Sequence, residues 1–180
     1  MNKLNFEATI NAQKGNETWE HFVLKHVAKY WLFHNKNCRL IATEVFMNNS
    51  SIKGFPTKQI ADAVGLQYKG QKFDGTFREK LVYVVEAKAS KQDYMNGFNV
   101  SGHYNFVITP KGLLKEVPKG IGWLEVDLDG LKNGLKIDDC IEQKQRVSKR
   151  ELGYSIHKIE RNIGRRATNE ALFDSGIFKK

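Results

Sequence analysis

A run of five apolar residues, Leu81 to Val85, is the feature that most constrains the fold. Successive side chains of a strand point to opposite faces of a sheet, so a continuous apolar run predicts burial on both faces. Such a strand lies at the centre of a sheet that has other layers packed on both sides. The run therefore predicts a layered domain, and a chain of 180 residues is long enough to form one.

Other periodic segments surround this strand. Apolar side chains recur at spacings of three and four from Trp19 to Tyr30 and from Leu152 to Ala167, which predicts a helix running to about His34 and a second helix from Ser148 onwards. Branched and aromatic residues between polar or turn-forming clusters predict five strands. These strands cover residues 39–46, 59–66, 80–89, 103–109 and 122–127, with a short helical segment at 113–116.

The order of these elements predicts the domain organisation. We expect an α/β domain over residues 1–144, with a mixed central β-sheet flanked by helices and the strand at 122–127 as its last. A basic helical extension over residues 145–180 is expected to pack on or beside it.

The charge of the chain is unevenly distributed. Lys and Arg number 29 against 20 Asp and Glu, a formal net charge of +9. Residues 1–60 carry +4 and residues 145–180 carry +5, whereas residues 61–144 hold twelve charges of each sign. Basic flanks around a neutral middle suit a polyanion such as nucleic acid, although a basic balance that serves solubility alone is about equally common.

Several classes of protein are disfavoured. The sequence has no apolar window of about 18 residues and no signal-peptide pattern, so we expect a cytoplasmic protein with no membrane partner. Cys38 and Cys140 are isolated, which argues against a zinc knuckle or a disulfide framework. No phosphate-binding loop of the nucleotide triphosphatases is present.

Charged residues follow the apolar strand directly. Glu86 and Lys88 point to the same side of the strand, and a buried charge is costly unless it is paired or binds a cation. Asp62 lies in the preceding predicted strand. Carboxylates hold Mg²⁺, the metal activates water and stabilises charge on phosphate, and a lysine can orient the nucleophile. The pattern predicts hydrolysis of phosphodiester bonds.

The residues Asp62 and Glu86-Ala87-Lys88 resemble the motif of the PD-(D/E)xK nuclease superfamily. The predicted element order over about residues 16–127 is also similar to that superfamily's restriction-endonuclease-like core. Within it, the pattern is most similar to MmcB-like DNA repair proteins. The segments that carry this likeness are Glu44, Ala61-Asp62, Val85-Glu86-Ala87-Lys88-Ala89-Ser90 and Tyr104-Asn105-Phe106-Val107.

The resemblance implies a Mg²⁺-dependent endonuclease acting on DNA in repair, recombination or mobile-element processing, with Mn²⁺ able to substitute. It implies a metal held by Asp62, Glu86 and the Ala87 carbonyl, with Lys88 near the attacking water and Glu44 as a further ligand or base. A homodimer is possible. Two departures are that Ala61 stands where the motif has Pro, and that the segment 93–102 after the Glu-x-Lys strand is short and contains glycine.

Alternatives remain open at the level of sequence. Glu44 is equally well explained as a strand carboxylate paired with a lysine. A non-catalytic nucleic-acid-binding or assembly module on the same fold is a second hypothesis, and a structural protein with an incidental carboxylate cluster is a third. Basic residues expected to contact nucleic acid, or to form a solvated surface instead, are Lys91, Lys158, Arg161 and Arg165.

Overall fold

The computed structural model describes residues 17–47, 59–98, 100–152 and 155–174. Their main feature is one six-stranded sheet whose strands follow each other in chain order. The strands are β1 (Leu40–Met47), β2 (Gln59–Gln71), β3 (Phe77–Ala87), β4 (Tyr104–Pro110), β5 (Gly122–Val126) and β6 (Ile141–Gln145). The helices are α1 (Trp19–His34), α2 (Lys91–Met95), α3 (Leu128–Lys132) and α4 (Ile156–Asn169), with a 3₁₀ turn at Ile137–Cys140 and a π-helical turn at Glu170–Asp174.

The sheet is mixed. Strands β1, β2 and β3 form an antiparallel meander, β3, β4 and β5 are parallel, and β6 is antiparallel to β5. Helix α2 lies in the connection between the parallel strands β3 and β4. The prediction of an α/β domain with a mixed sheet flanked by helices is confirmed.

Helix α1 covers one face of the sheet. The Thr18 hydroxyl accepts a hydrogen bond from the His21 backbone N–H and caps the helix, whose first turn carries Glu20. The helix buries an apolar face against β2, β3 and β4, and the Trp31 ring packs edge-on against Phe106 at 4.7 Å between ring centroids. The predicted N-terminal helix is confirmed.

Helix α4 covers the other face. Ile159 and Ile163 are fully buried against residues of β1, β2 and β3, as the apolar periodicity predicts. The helix begins at Ile156 instead of Ser148, so this boundary was wrong. The reason lies in the backbone, because the N–H groups of Ser148 and Arg150 donate to the Gly120 and His103 carbonyls and not within a helical turn.

Strand β3 is buried on both faces, as predicted. Leu81, Tyr83 and Val85 belong to the core under α1, whereas Val82 and Val84 belong to the core under α4. This central position brings the charged residues after Val85 into the interior of the domain.

Two expectations were wrong. The strand at 122–127 is not the last, because β6 pairs with it; the sequence Ile-Glu-Gln-Lys-Gln of β6 is polar and has the exposed pattern of an edge strand. Residues 113–116 form no helix; they follow Gly112, whose φ of +75° reverses the chain after β4.

Two glycines in the core layers should respond oppositely to substitution. A Cβ on Gly122 would lie 2.2 Å from a ring carbon of Phe106, so Gly122→Ala is expected to lower the free energy of unfolding by about 1–3 kcal/mol. Gly164 lies in α4 with open space around its Cα, so Gly164→Ala should raise it by about 0.5–1 kcal/mol. Urea unfolding of both variants measures the two effects, and equal signs would contradict the packing described.

Candidate active site

A cleft of about 1050 Å³ opens at the end of the sheet formed by the last residues of β1, the first residues of β2 and the segment that follows β3. The start of α1 supplies one wall and α4 supplies the other, so the cleft joins the two helical layers. Its carboxylates are Glu17, Glu20, Glu44, Asp62 and Asp93, and its cationic or amide side chains are His21, Lys25, Asn162, Arg165, Arg166 and Asn169. The remaining lining residues are Thr18, Phe46, Ile60, Ala89 and Ser90.

Strand β1 is irregular at the cleft. Glu44 has a φ of +52°, which is strained for a residue with a side chain. Ala42 and Val45 both face α4 although two residues separate them, so the usual alternation is broken there. After Glu44, the odd-numbered residues of β1 face α4. Unbroken alternation from Ala42 would have placed the even-numbered residues there.

The register brings three carboxylates onto one row. The pairs Thr43–Ala63 and Val45–Ala61 bracket Glu44 and Asp62 on β1 and β2. The pairing of β2 with β3 ends at Ala63–Val85, and one further step in the same register sets Asp62 against Glu86. The carboxylates predicted as a site therefore lie on three adjacent strands.

Asp62 holds the ends of β2 and β3 together. Its Oδ2 accepts a hydrogen bond of 2.9 Å from the Ala87 backbone N–H, so a side chain takes the role of a ladder bond beyond the last paired residues. The same oxygen lies 3.6 Å from the His21 Nε2. Asp62 is thus fixed from both β3 and α1.

Glu86 is buried with one carboxyl oxygen unpartnered among the described residues. It is 6% exposed, and among the described residues its Oε1 has no hydrogen-bond partner. Burial, followed by the nearby charge of Asp62, raises the pKa of Glu86 well above the ordinary 4.5, although Lys88 acts in the opposite direction. A buried carboxyl oxygen without a partner is costly, and hard cations are the ligands that such an oxygen prefers.

Glu86, Ala87 and Lys88 are not among the residues that line the cleft. Lys88 is 8% exposed, and its Nζ contacts Asp93 Oδ1 at 3.2 Å, while Ala87 is fully buried. Asp93 itself lines the cleft. Lys88 is therefore connected to the cleft through its contact with Asp93.

Glu44 is already paired with cations. Its Oε1 accepts from Lys25 Nζ at 2.9 Å, and its Oε2 accepts from the Arg166 guanidinium. Partial burial disfavours the charged carboxylate, but the hydrogen bond and charge of Lys25 outweigh it and lower the pKa of Glu44. The structure thus shows the lysine pairing that the sequence left as an alternative to a catalytic role.

Sequence reasoning missed three cleft residues on or just before α1. Glu17, His21 and Lys25 recur at a spacing of four, which sets them on one side of the helix beside its apolar face. That spacing was the signal that could have found them. The Asp62 carboxylate, against partial burial and with help from Glu17, raises the pKa of His21 to about 9, so the ring is a cation at neutral pH.

The predicted basic contacts divide into two groups. Arg165 lines the cleft, whereas Lys158 and Arg161 are exposed on α4 outside its lining. Lys91 is exposed at the start of α2 and also lies outside the lining. Of the four, the structure brings only Arg165 to the carboxylates.

The described residues contain no ready-made cluster of three His, Cys, Asp or Glu side chains with the geometry of a metal site. The donors that the resemblance implies are two carboxylates and the Ala87 carbonyl, which is a smaller set. The uncompensated Glu86 oxygen beside Asp62 fits an added cation. In the same parts of the chain, no helix is long and apolar enough to cross a membrane.

Comparison with known proteins gives little further information. No family model matches the chain, and no curated protein matches it. Among solved structures, it is similar to the SPO1766 protein of unknown function from Silicibacter pomeroyi, with a TM-score of 0.49 and 16% identity over 87% of this chain and 92% of that one. No activity is stated for that protein, so the cleft is the evidence that bears on function.

The burial of Glu86 predicts a pH-dependent gain from replacing its carboxyl. In EDTA, Glu86→Gln should raise the free energy of unfolding, because the amide does not have to take up a proton to be buried. The unfolded carboxyl loses its proton near pH 4.5 while the folded one keeps it, so wild-type stability falls as pH rises. The advantage of Gln should be absent at pH 4 and grow above pH 4.5 by up to about 1.4 kcal/mol per pH unit.

Glu125→Gln is the matched control for this measurement. Glu125 is also a buried strand glutamate, but its Oε1 accepts a hydrogen bond from the Gly112 N–H. We expect no gain from this substitution at pH 8. Equal losses of stability in both variants would show that Glu86 is compensated in the folded protein.

Proposed function

We propose that the protein is a metal-dependent nuclease that hydrolyses DNA phosphodiester bonds on a restriction-endonuclease-like core, in repair, recombination or mobile-element DNA processing. The observation that carries the proposal is the buried Glu86 carboxyl, one oxygen of which has no partner among the described residues, at the register position next to Asp62. Burial of this carboxyl is costly, whereas a glutamine of the same shape would not have to be neutralised to be buried. Retained strain of this kind is typical of functional sites.

The element order supports the same reading. A helix, two strands with Asp62 on the second, a strand with Glu86 and Lys88, a short helix and a parallel strand follow one another as α1, β1, β2, β3, α2 and β4. The short α2 agrees with the departure noted in the sequence. The family assignment itself remains part of the proposal.

Asp62 and Glu86, with the Ala87 carbonyl, would hold Mg²⁺ or Mn²⁺. When bound, the metal would supply Lewis-acid stabilisation of the phosphate and a water of lowered pKa. Asp62 is prepared for this role because its position is fixed by the Ala87 N–H, and Glu86 because its free oxygen lacks another partner.

The neighbouring cations have separable roles in this proposal. Lys88, held by Asp93, would orient the attacking water. Arg165 would contact a phosphate of the bound strand from the opposite wall. Both oxygens of Glu44 accept hydrogen bonds, one from Lys25 of α1 and one from Arg166 of α4. Glu44 would therefore hold the two walls of the cleft in position and would not be a metal ligand.

A second candidate is a nucleic-acid-binding or assembly module without turnover. The observation that favours it is the pairing of the cleft carboxylates with protein cations: His21 lies against Glu17 and Asp62, and Lys25 lies against Glu17 and Glu44. Such pairing neutralises a site without any metal. This candidate predicts DNA binding that is independent of Mg²⁺ and of Asp62.

The two candidates are separated by a cleavage assay. Plasmid and branched DNA are incubated with the protein and Mg²⁺ or Mn²⁺, and we expect Asp62→Asn and Lys88→Gln each to lower the rate at least ~100-fold. The control Asp129→Asn removes an exposed carboxylate on α3 and should leave the rate unchanged. Titration calorimetry with Mn²⁺ should show heat of binding for wild type and none for Asp62→Asn.

Thermal unfolding establishes that the variants are folded before the rates are compared. Cleavage that persists in both Asp62→Asn and Lys88→Gln would refute the assigned site. DNA binding with neither cleavage nor Mn²⁺ uptake by the wild type would favour the second candidate.

A further inference from the structure

Two large apolar side chains are exposed inside the charged cleft. Phe46 is 55% exposed and Ile60 is 52% exposed, and their Cα atoms are direct partners across β1 and β2. Both line the cleft next to the row of carboxylates. An apolar surface beside a site for charged ligands requires an explanation, since it is neither part of the core nor a phosphate contact.

The strained backbone at Glu44 is what exposes Phe46. Ala42 faces α4, and regular alternation would turn Phe46 to the same buried side. Because the alternation breaks at Glu44, Val45 and Met47 pack under α4 and Phe46 turns away from it, into the cleft. The strained φ thus accompanies an exchange in which Val45 and Met47 are buried while the larger Phe46 ring is left exposed in the cleft.

Polar groups of α4 line the same cleft as this ring. Asn162 Nδ2 donates to the Phe46 carbonyl at 2.8 Å, and Arg165 and Asn169 lie one and two turns further along the same face of the helix. Arg165 is exposed and, unlike Arg166, makes no ion pair with a described residue. The cleft therefore brings together an aromatic side chain, two amides and a guanidinium that is in no ion pair with a described residue.

We infer that Phe46, backed by Ile60, is a stacking platform for an unpaired nucleobase, and that the preferred ligand of the cleft is single-stranded DNA. This inference rests on the proposed function, because it takes DNA as the ligand. The bases of a duplex are paired and stacked on one another, so only an unpaired base can lay its face on the ring. Aromatic stacking beside a basic side chain is the usual means of binding a single strand without reading its sequence.

The positions of the basic residues on α4 also suggest the path of the bound DNA strand. The phosphate next to the stacked base would lie against Arg165, and the exposed residues Lys158 and Arg161 continue the same basic surface along α4. Seven residues of helix separate Lys158 from Arg165, which is about 10 Å along the axis. A strand of a few nucleotides would span this distance.

Fluorescence anisotropy with a labelled 20-nucleotide strand, alone and as a duplex, tests the platform in EDTA, where cleavage plays no part. We expect Phe46→Ala to weaken binding of the single strand about 10-fold, because one base–aromatic stack is lost, and binding of the duplex less than 2-fold. Phe46→Trp should retain the affinity. Phe33→Ala is the matched control, since Phe33 is 58% exposed on α1 outside the cleft lining, and it should change neither affinity.

The dependence on salt distinguishes stacking from phosphate contact. Phe46→Ala should leave the slope of log affinity against log salt unchanged, whereas Arg165→Gln should reduce its magnitude by about 1. Equal losses on single strand and duplex, or no loss in Phe46→Ala, would overturn the platform. If Asp62-dependent cleavage is present while Phe46→Ala binds as wild type does, the platform is refuted and the nuclease proposal stands.

Discussion

The cleft depends on a chain of alternating charges centred on Lys25. This lysine is 5% exposed on α1, and its Nζ contacts Glu17 at 2.6 Å and Glu44 of β1 at 2.9 Å. Burial alone would lower the pKa of Lys25, but the two carboxylates outweigh it and raise the pKa, so the residue stays charged. Glu44 in turn forms an ion pair with Arg166 of α4. These ion pairs link two helices on opposite faces of the sheet at one end of the sheet. The cleft lies between the two helices at that end.

The carboxylates of the row differ in how they are compensated. Glu44 has a cation on each oxygen and Asp62 has a backbone donor and a histidine, whereas one oxygen of Glu86 has no partner among the described residues. Compensated carboxylates hold the walls of the cleft. Glu86 is therefore the carboxylate of the three at which the proposed cation would stabilise the protein most, because it would supply the partner that one oxygen lacks.

The sequence predicted those parts of the structure that depend on local periodicity and on burial. The apolar run from Leu81 to Val85 identified the central strand, and the stripes of α1 and α4 identified the helices that cover it. The edge strand β6 was not predicted, because its sequence is polar and lacks the apolar alternation that indicates a strand. The cleft was not predicted, because it depends on a break of alternation at Glu44 and on polar residues from Glu17 to Lys25, which are far apart in the chain. These residues come together through the packing of α1 on the sheet, and their spacing in the sequence does not reveal that contact.

Helix α4 carries the stripe that closes the core and, on the adjoining side, the residues that face the cleft. Ile159 and Ile163 pack under the sheet, while Arg165 and Asn169 border the cleft. Insertion or deletion of a single residue within the helix would rotate everything beyond it by about 100°. The apolar stripe and the cleft wall would then move out of place together. The packing of the core and the position of the cleft wall therefore depend on the same helical register, and variation in the length of this segment is expected only outside the helix.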